Sequence, residues 1–275
     1  ACKPLGLRKV RITGGEPLLR QDIHHLVRQL SSMEMEVAIT TNGSLLEKNA
    51  RNLAESGLSR VTISLDAIDQ EVHSKITDSK VPVTDILAGI SAAIRYELGP
   101  VKVNCVVQRG VNEHQIPKLV RKFRGSGVIV RFIEFMDVGS TNGWTQGQVV
   151  PTSEIIDFLS SEFDLTPLAR KSASDVASRW AHSDGSGEIG FISSVSQPFC
   201  GDCVRARLSS NGKFFTCLFT TMGHDMSTLI KSGGETEQLT HSIEEVWSAR
   251  KDRYSEKRSS GAISLPRVEM SYIGG

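Results

Sequence analysis

The chain has 275 residues with 39% apolar composition, enough to bury one large core or somewhat more than one. Its 32 Lys and Arg nearly balance 31 Asp and Glu, and the net charge of +1, without long runs of one sign, leaves no electrostatic footprint for DNA or RNA. No stretch approaches the roughly eighteen consecutive apolar residues of a membrane-spanning helix, so neither nucleic acid nor membrane is an expected partner.

The five cysteines, three of them in one short stretch, do not form a disulfide framework. They point to a reducing intracellular compartment, with cytoplasm and mitochondrial matrix both open. Ala1 begins the chain without an initiator methionine, so the numbering is expected to start inside a longer protein.

In chain order, apolar and β-branched runs at residues 9–13, 37–41, 60–65, 101–107 and 128–135 have strand length. Between them, residues 23–30, 45–53, 86–94 and 116–123 carry apolar positions at helical spacing, with Asp22, Ser44 and Asn112 as predicted caps. Strands alternating with helices predict an α/β fold with a mainly parallel sheet, open or closed into a barrel. In such folds the chemistry gathers at the carboxyl ends of the strands.

Those ends are informative here. The first run leads into Gly14, Gly15, Glu16 and Pro17, the second into Asn42 and Gly43, and the third into Asp66. The fifth carries Arg131 and ends near Glu134 and Met136. Paired glycines let a ligand approach the backbone, and Glu16 offers a carboxylate to an ammonium group. An ordinary strand-to-helix turn explains the same residues. Thr40, Thr41 and Asn42 read equally as turn chemistry, Ser64 and Asp66 as a capping pair, Lys102 as a solvated edge charge, and Cys105 as a small core residue.

Beyond residue 137 the alternation stops. Residues 139–147 form a polar connection, and 152–163 a helix capped by Thr152 or Ser153. Residues 172–187 read as a loop or mobile segment and 188–194 as a strand. Cys200 and Cys203 then form a C-x-x-C pair, followed after thirteen residues by Cys217. Three thiolates suit zinc or an iron-sulfur cluster. A closed zinc site would need a fourth ligand from His182, His224 or Cys105, whereas an open fourth position would admit a substrate. Arg205 and Arg207 alternate, so in an extended segment they point the same way, as two fixed cations beside the metal. The Asn211-Gly212 turn predicts that residues 214–219 fold back on 204–208. Residues 225–253 are helical with a break at Gly233 and Gly234, and Tyr272, Ile273, Gly274 and Gly275 read as a frayed tail.

Taken in order, RITGGEP, ITTNG, ISLD, VKVNCV, RFIEFMDVG, CGDCVRARLSSNGKFFTCLF and the final YIGG resemble the molybdenum cofactor biosynthesis protein A family. These are GTP 3′,8-cyclases of the radical S-adenosylmethionine (SAM) superfamily, and the resemblance runs from about residue 7 to the end. It implies an incomplete (β/α)6 TIM-like radical SAM barrel over residues 1–163, lacking its first strand. Residues 164–275 would form a C-terminal region that binds a [4Fe-4S] cluster and GTP.

The resemblance makes Cys200, Cys203 and Cys217 the cluster ligands, with one iron left for the purine. It makes Lys9, Arg11, Thr40, Lys102, Arg131, Arg205 and Arg207 the residues that hold GTP, and Gly15, Glu16, Ser64 and Met136 the SAM pocket. It also places Arg205, Arg207, Gly274 and Gly275 in the catalytic site, raising the tail above simple fraying. The reaction it implies is removal of a ribose 3′ hydrogen by a 5′-deoxyadenosyl radical, then attack of the sugar radical on guanine C8. Cyclic pyranopterin monophosphate synthase is the implied pathway partner, and a homodimer the candidate assembly.

One feature departs from that family. Its first cluster is held by C-x-x-x-C-x-x-C, and these 275 residues contain no such motif. The chain is therefore expected to be the family's protein without its N-terminal part, holding one cluster but not cleaving SAM alone. SAM and a second [4Fe-4S] cluster are expected of the full-length protein. A silent GTP- and cluster-binding partner, and a zinc-stapled structural domain, are the competing readings.

Overall fold

The computed structural model describes residues 1–139, 141–172, 174–257 and 268–273. Its centre is an eight-stranded sheet. Strands β1 (Lys9–Ile12), β2 (Glu36–Thr41), β3 (Arg60–Ser64), β4 (Lys102–Val107) and β5 (Ile129–Glu134) follow one another side by side and in parallel. After β6 (Leu165–Leu168) and β7 (Ser178–His182), strand β8 (Glu188–Ile192) returns beside β5, also parallel, and β7 and β6 complete the sheet antiparallel. The C-terminal half thus supplies a sixth parallel strand. β1 stands at the opposite edge, without a strand on its outer side among the described residues.

Helices α1 (Ile23–Ser32), α2 (Leu46–Glu55), α3 (Gln70–Thr77), α4 (Val83–Arg95), α5 (Ile116–Phe123) and α6 (Thr152–Ser160) fill the crossovers. They bury one face of the sheet. Val37, Ile39, Val61, Ile63, Val103 and Phe132 are fully buried in a single core with Leu46, Leu53, Ile86 and Leu119 of the helices. β-branched residues recur because their stiff side chains pack well on a pleated surface. Phe132 stacks on Phe191 with centroids 6.1 Å apart, tying β5 to β8. Truncating either ring to alanine removes about 3–5 kcal/mol of core packing. Gly89 lets α4 press against the β2–α2 turn, since a Cβ there would lie 2.6 Å from the Gly43 carbonyl.

The expected alternation is present, with α3 as an additional helix between β3 and α4. Several local expectations are corrected. Residues 172–187 are not simply a loop: β7 runs through 178–182 and pairs with both β6 and β8. The helix cap positions are Leu45 and Pro151 in place of Ser44 and Thr152, and Asp22, though at the cap of α1, makes no side-chain cap bond. Asn112 donates to the carbonyls of Asp66 and Val106, both at 2.8 Å, fixing the ends of β3 and β4 to one another.

A three-stranded sheet of β9 (Arg207–Leu208), β10 (Lys213–Phe215) and β11 (His224–Asp225) carries the cysteine stretch. The predicted hairpin forms, with Phe214 opposite Leu208 and Phe215 opposite Arg207. Helices α7 (Ser227–Lys231) and α8 (Thr236–Ser248) are separated at Gly233 and Gly234, as the sequence predicts. Phe214, Met226 and Ile243 form a small second core against which Ala1 and Cys2 pack. No helix among the described residues is long and apolar enough to cross a membrane.

Candidate functional site

The other face of the sheet is polar. Because strand residues alternate in facing, the register places Lys9, Arg11, Thr40, Arg60, Thr62, Ser64, Lys102, Asn104 and Arg131 on this one face. Most parallel sheets are buried on both faces by apolar layers. Here Lys102 and Arg131 are half-buried on central strands, so the edge-charge explanation of Lys102 does not hold.

Crowding of like charge shows in the ionisation. Burial, then Arg131, Arg60, Arg11 and Lys9, push the Lys102 ammonium down to about 7. Burial, then Arg11 and Arg60, bring Arg131 down to about 10. Arg11 is lowered by the protein atoms around it and by Arg60 and Arg205, although its side chain remains open to solvent, as in a concave cleft. Arg11 Nη1 donates to Thr40 Oγ1 at 2.8 Å. Asn104 Oδ1, in register with Ser64 and Arg131, is buried without a partner among the described residues. The clustered cations suit a polyanionic ligand, whereas the Asn104 side-chain carbonyl oxygen, an acceptor, is matched by a ligand N–H or O–H.

At the carboxyl ends of β1 and β2, the Glu16 carboxylate accepts from Leu18 N at 3.0 Å, Thr41 Oγ1 at 2.7 Å and Asn42 N at 2.8 Å. Three of its acceptor sites are therefore already used, leaving limited capacity for an ammonium group. Gly14 adopts φ +139°, and a Cβ at Gly14 or Gly15 would meet nothing within 4 Å, so the backbone faces open space. Asp66 does not cap a helix. Its Oδ1 accepts from Val106 N at 2.7 Å, and burial raises its carboxyl to about 6. Met136 packs with Phe199 on a small apolar cluster of Ile133, Ala177 and Ile192.

Phe199 links this rim to the cysteine stretch, because the Arg205 guanidinium lies 5.2 Å from its ring centroid. The three thiols Cys200, Cys203 and Cys217 are free and half-buried. Burial works to raise the Cys203 thiol, but Arg205 and Arg250 outweigh it; Cys217 is raised, chiefly by burial. Burial and Arg205 lower Arg207 to about 10, against the opposing influence of Cys217 and Cys203. Arg205 thus reaches both the thiols and the cationic hollow, while Arg207 lies beside the thiols.

As a donor set, three reduced thiols beside two arginines fit an iron-sulfur cluster. Among the described residues, however, no three His, Cys, Asp or Glu side chains are arranged to hold a metal ion. The fourth-ligand candidates do not converge: Cys105 is in the main core and His182 packs edge-on to Phe163 with centroids 5.8 Å apart, while His224 pairs with Phe214 in the small sheet. Gly274 and Gly275 lie outside the described residues.

The segment after α8 straps this region down. Arg250 Nη1 donates to Cys203 O at 2.6 Å, Tyr254 stacks on Phe219 at 4.6 Å, and Gly201 N donates to Glu256 Oε1 at 3.2 Å.

Two residues gained importance only in the structure. Glu134 is fully buried and accepts from Thr152 N, Val195 N and Ser196 N, each at 2.8 Å, and from Ser196 Oγ at 2.5 Å. It pins the end of β5 to the start of α6 and to the segment leading to the cysteines. Arg60 joins the cations; a charge at the start of a run gave no sequence signal.

Residues 1–123 match the radical SAM superfamily, and residues 128–256 match the Molybdenum Cofactor Synthesis C family. A GTP 3′,8-cyclase of Xanthomonas axonopodis pv. citri is 46% identical over 273 residues, covering 98% of this chain and 81% of that protein. The chain belongs to the GTP 3′,8-cyclase family. A second member, from Acidothermus cellulolyticus, is 43% identical over 98% of this chain and 82% of its own length. A third, from Staphylococcus epidermidis, is 42% identical over 98% and 81%.

Streptococcus suis SuiB bound to precursor peptide SuiA shares the fold, with TM-score 0.59 at 16% identity over 92% of this chain and 58% of that one. As a member of the family the chain is a radical SAM enzyme of molybdenum cofactor biosynthesis, and its mostly parallel α/β sheet is the radical SAM architecture.

Proposed function

We propose that the chain binds GTP with its phosphates on the cationic inner face and its base towards the cysteine stretch. The product of the reaction it serves would be (8S)-3′,8-cyclo-7,8-dihydroguanosine 5′-triphosphate. The observation that carries this is the gathering of Lys9, Arg11, Lys102 and Arg131 on one polar sheet face, with Arg205 close enough to lower Arg11. Cations pressed together against their mutual repulsion are stabilised by a multiply charged anion, and guanidinium forks give it bidentate contacts.

In this proposal Cys200, Cys203 and Cys217 hold a [4Fe-4S] cluster, which when bound supplies an iron site for the purine. Gly15, Glu16, Ser64 and Met136 surround SAM, whose chemistry is the generation of a carbon-centred radical. The protein's own part is placement and shelter. Arg11, Lys102 and Arg131 fix the phosphates and so the ribose, Arg205 and Arg207 approach from the cysteine side, and the Met136 and Phe199 cluster excludes water from the rim. Cyclic pyranopterin monophosphate synthase would act on the product, in a reducing compartment that keeps the free thiols reduced.

These 275 residues contain no C-x-x-x-C-x-x-C. We infer that the chain by itself binds GTP without turning it over. The test is anaerobic reconstitution followed by iron and sulfide analysis, GTP calorimetry and a SAM turnover assay. Bound iron with GTP affinity and no 5′-deoxyadenosine is the expected result. Zinc in place of iron, or iron without GTP binding, overturns the site; accumulation of 5′-deoxyadenosine overturns the inactivity.

A further inference from the structure

Arg60 opens β3 in register with Ala38 of β2, which is itself in register with Arg11 of β1. Its side chain is only 18% exposed, and its Nη2 lies 2.7 Å from Glu36 Oε1. Lys9 Nζ lies 3.2 Å from Oε2 of the same carboxylate, so one acid serves two cations. By register, Glu36 is the only acidic side chain on the inner face of β1–β5. Glu188, on the same face of β8, acts on Arg131 but is already held by Arg179 at 2.8 and 2.6 Å. The Arg60 Nε is buried and has no hydrogen-bond partner among the described residues. The field of Arg60 reaches the rest of the cluster, lowering Arg11, Lys102 and Arg131.

A salt bridge that merely stapled β2 to β3 would need one cation and would leave no buried donor unused. Here a guanidinium with an unsatisfied N–H shares a single carboxylate with Lys9, among cations that repel it. At this end of the cluster one carboxylate faces two cations, and the charge that would balance them belongs where the other cations converge.

We propose that Arg60 is a further phosphate-binding residue of this site and that Glu36 is its internal counter-ion, holding Arg60 and Lys9 until a polyphosphate takes its place. The inference rests on the GTP binding proposed above. It makes Glu36 a specificity-determining residue. A ligand with few charges gains too little from Lys9 and Arg60 to displace the carboxylate, whereas a triphosphate gains enough.

The two residues then have opposite effects on binding. Arg60→Gln removes a phosphate ligand, and Glu36→Gln removes the competitor. A simple staple predicts one direction for both, because either substitution breaks the same ion pair.

Calorimetry on the 275-residue chain with GTP, GMP and guanosine separates these cases. Arg60→Gln is expected to weaken GTP binding about tenfold, which is about 1.4 kcal/mol, and to leave guanosine unchanged. Arg60→Lys keeps the charge and should recover part of that loss. Glu36→Gln is expected to tighten GMP binding and narrow the preference for GTP over GMP. Circular dichroism checks the fold, and Arg60→Lys with Glu36→Gln decides the case if Arg60→Gln does not fold. Wild-type affinity in Arg60→Gln, or weakening of both nucleotides by Glu36→Gln, overturns the proposal. Failure of the unsubstituted chain to bind GTP instead overturns the function on which it rests.

Discussion

The Tyr254 hydroxyl donates to Asp137 Oδ2 at 2.7 Å, joining residues 117 apart in sequence. Asp137 follows Met136 at the rim of the sheet, and Tyr254 lies on the strap over the cysteines, stacked on Phe219. This contact holds the cysteine stretch against the cationic hollow. Tyr254→Phe keeps the stacking and loses the hydrogen bond, at a cost of about 1 kcal/mol. Hydrogen exchange across residues 199–219 should quicken while that of β3 and β4 does not. Unaltered exchange would show that the strap holds without this bond.

Glu134 offers a larger effect. Glu134→Gln presents an amide N–H₂ where the carboxylate receives N–H and O–H donors, and leaves at least one buried donor unpaired. The expected loss is about 2–4 kcal/mol. Urea unfolding at constant m value measures it, and a midpoint like that of the parent protein would contradict the role assigned to this carboxylate.

Asp66 gives a pH signature. Its carboxyl is raised by burial from 3.8 to about 6, so the native state retains a proton that the unfolded chain has released between those values. Stability from this group is therefore greatest on the acid side, falls as pH rises through that window and is level above it. Asp66→Asn keeps an oxygen for Val106 N–H and removes the titration. Its stability relative to the parent should rise between pH 4 and 6, by roughly 2–3 kcal/mol. A difference that does not change with pH would refute this.

Lys102 predicts how GTP binding follows pH. With its free value lowered to about 7, the ammonium must regain a proton when phosphate arrives and raises it. Affinity should fall as pH increases above 7, and calorimetry in buffers of different ionisation enthalpy should show proton uptake at pH 8. Lys102→Arg should abolish that uptake. Binding without a proton change in the parent chain would place the phosphates elsewhere.

The glycines after β1 differ in what they tolerate. Gly14→Ala forces a Cβ into φ +139° and should cost about 1–3 kcal/mol. Gly15→Ala has free space around its Cβ and should unfold at the parent temperature. Equal melting shifts for both would remove the distinction.

Much of the fold and of the site is legible in the sequence, for physical reasons. Buried parallel strands read as apolar runs, so β1 to β5 were visible, and the Asn211-Gly212 turn announced its hairpin. β7 is hard to read from sequence because Ser178, Arg179 and Trp180 show no clean alternation, although the Asp184-Gly185 turn before β8 is a hairpin signal. Arg60 and Glu36 escaped notice because a charge at the start of a strand is ordinary; only the register sets them beside Arg11 and Lys9. Asn112 does stand at the N-cap of the 3-10 turn Glu113–Gln115 before α5, but its side chain makes no cap bond and turns instead to the carbonyls at the ends of β3 and β4.

Cys105 is wholly enclosed, and burial raises its thiol well above the usual range, whereas Cys2, Cys200, Cys203 and Cys217 are partly accessible. A thiol-alkylating reagent will therefore meet two populations in one molecule. The quick fraction counts the sulfurs left unoccupied at the surface, and the slow one clocks global opening of the chain. A single mass-spectrometric time course can thus read cofactor loading and conformational stability together, with an internal reference built into β4.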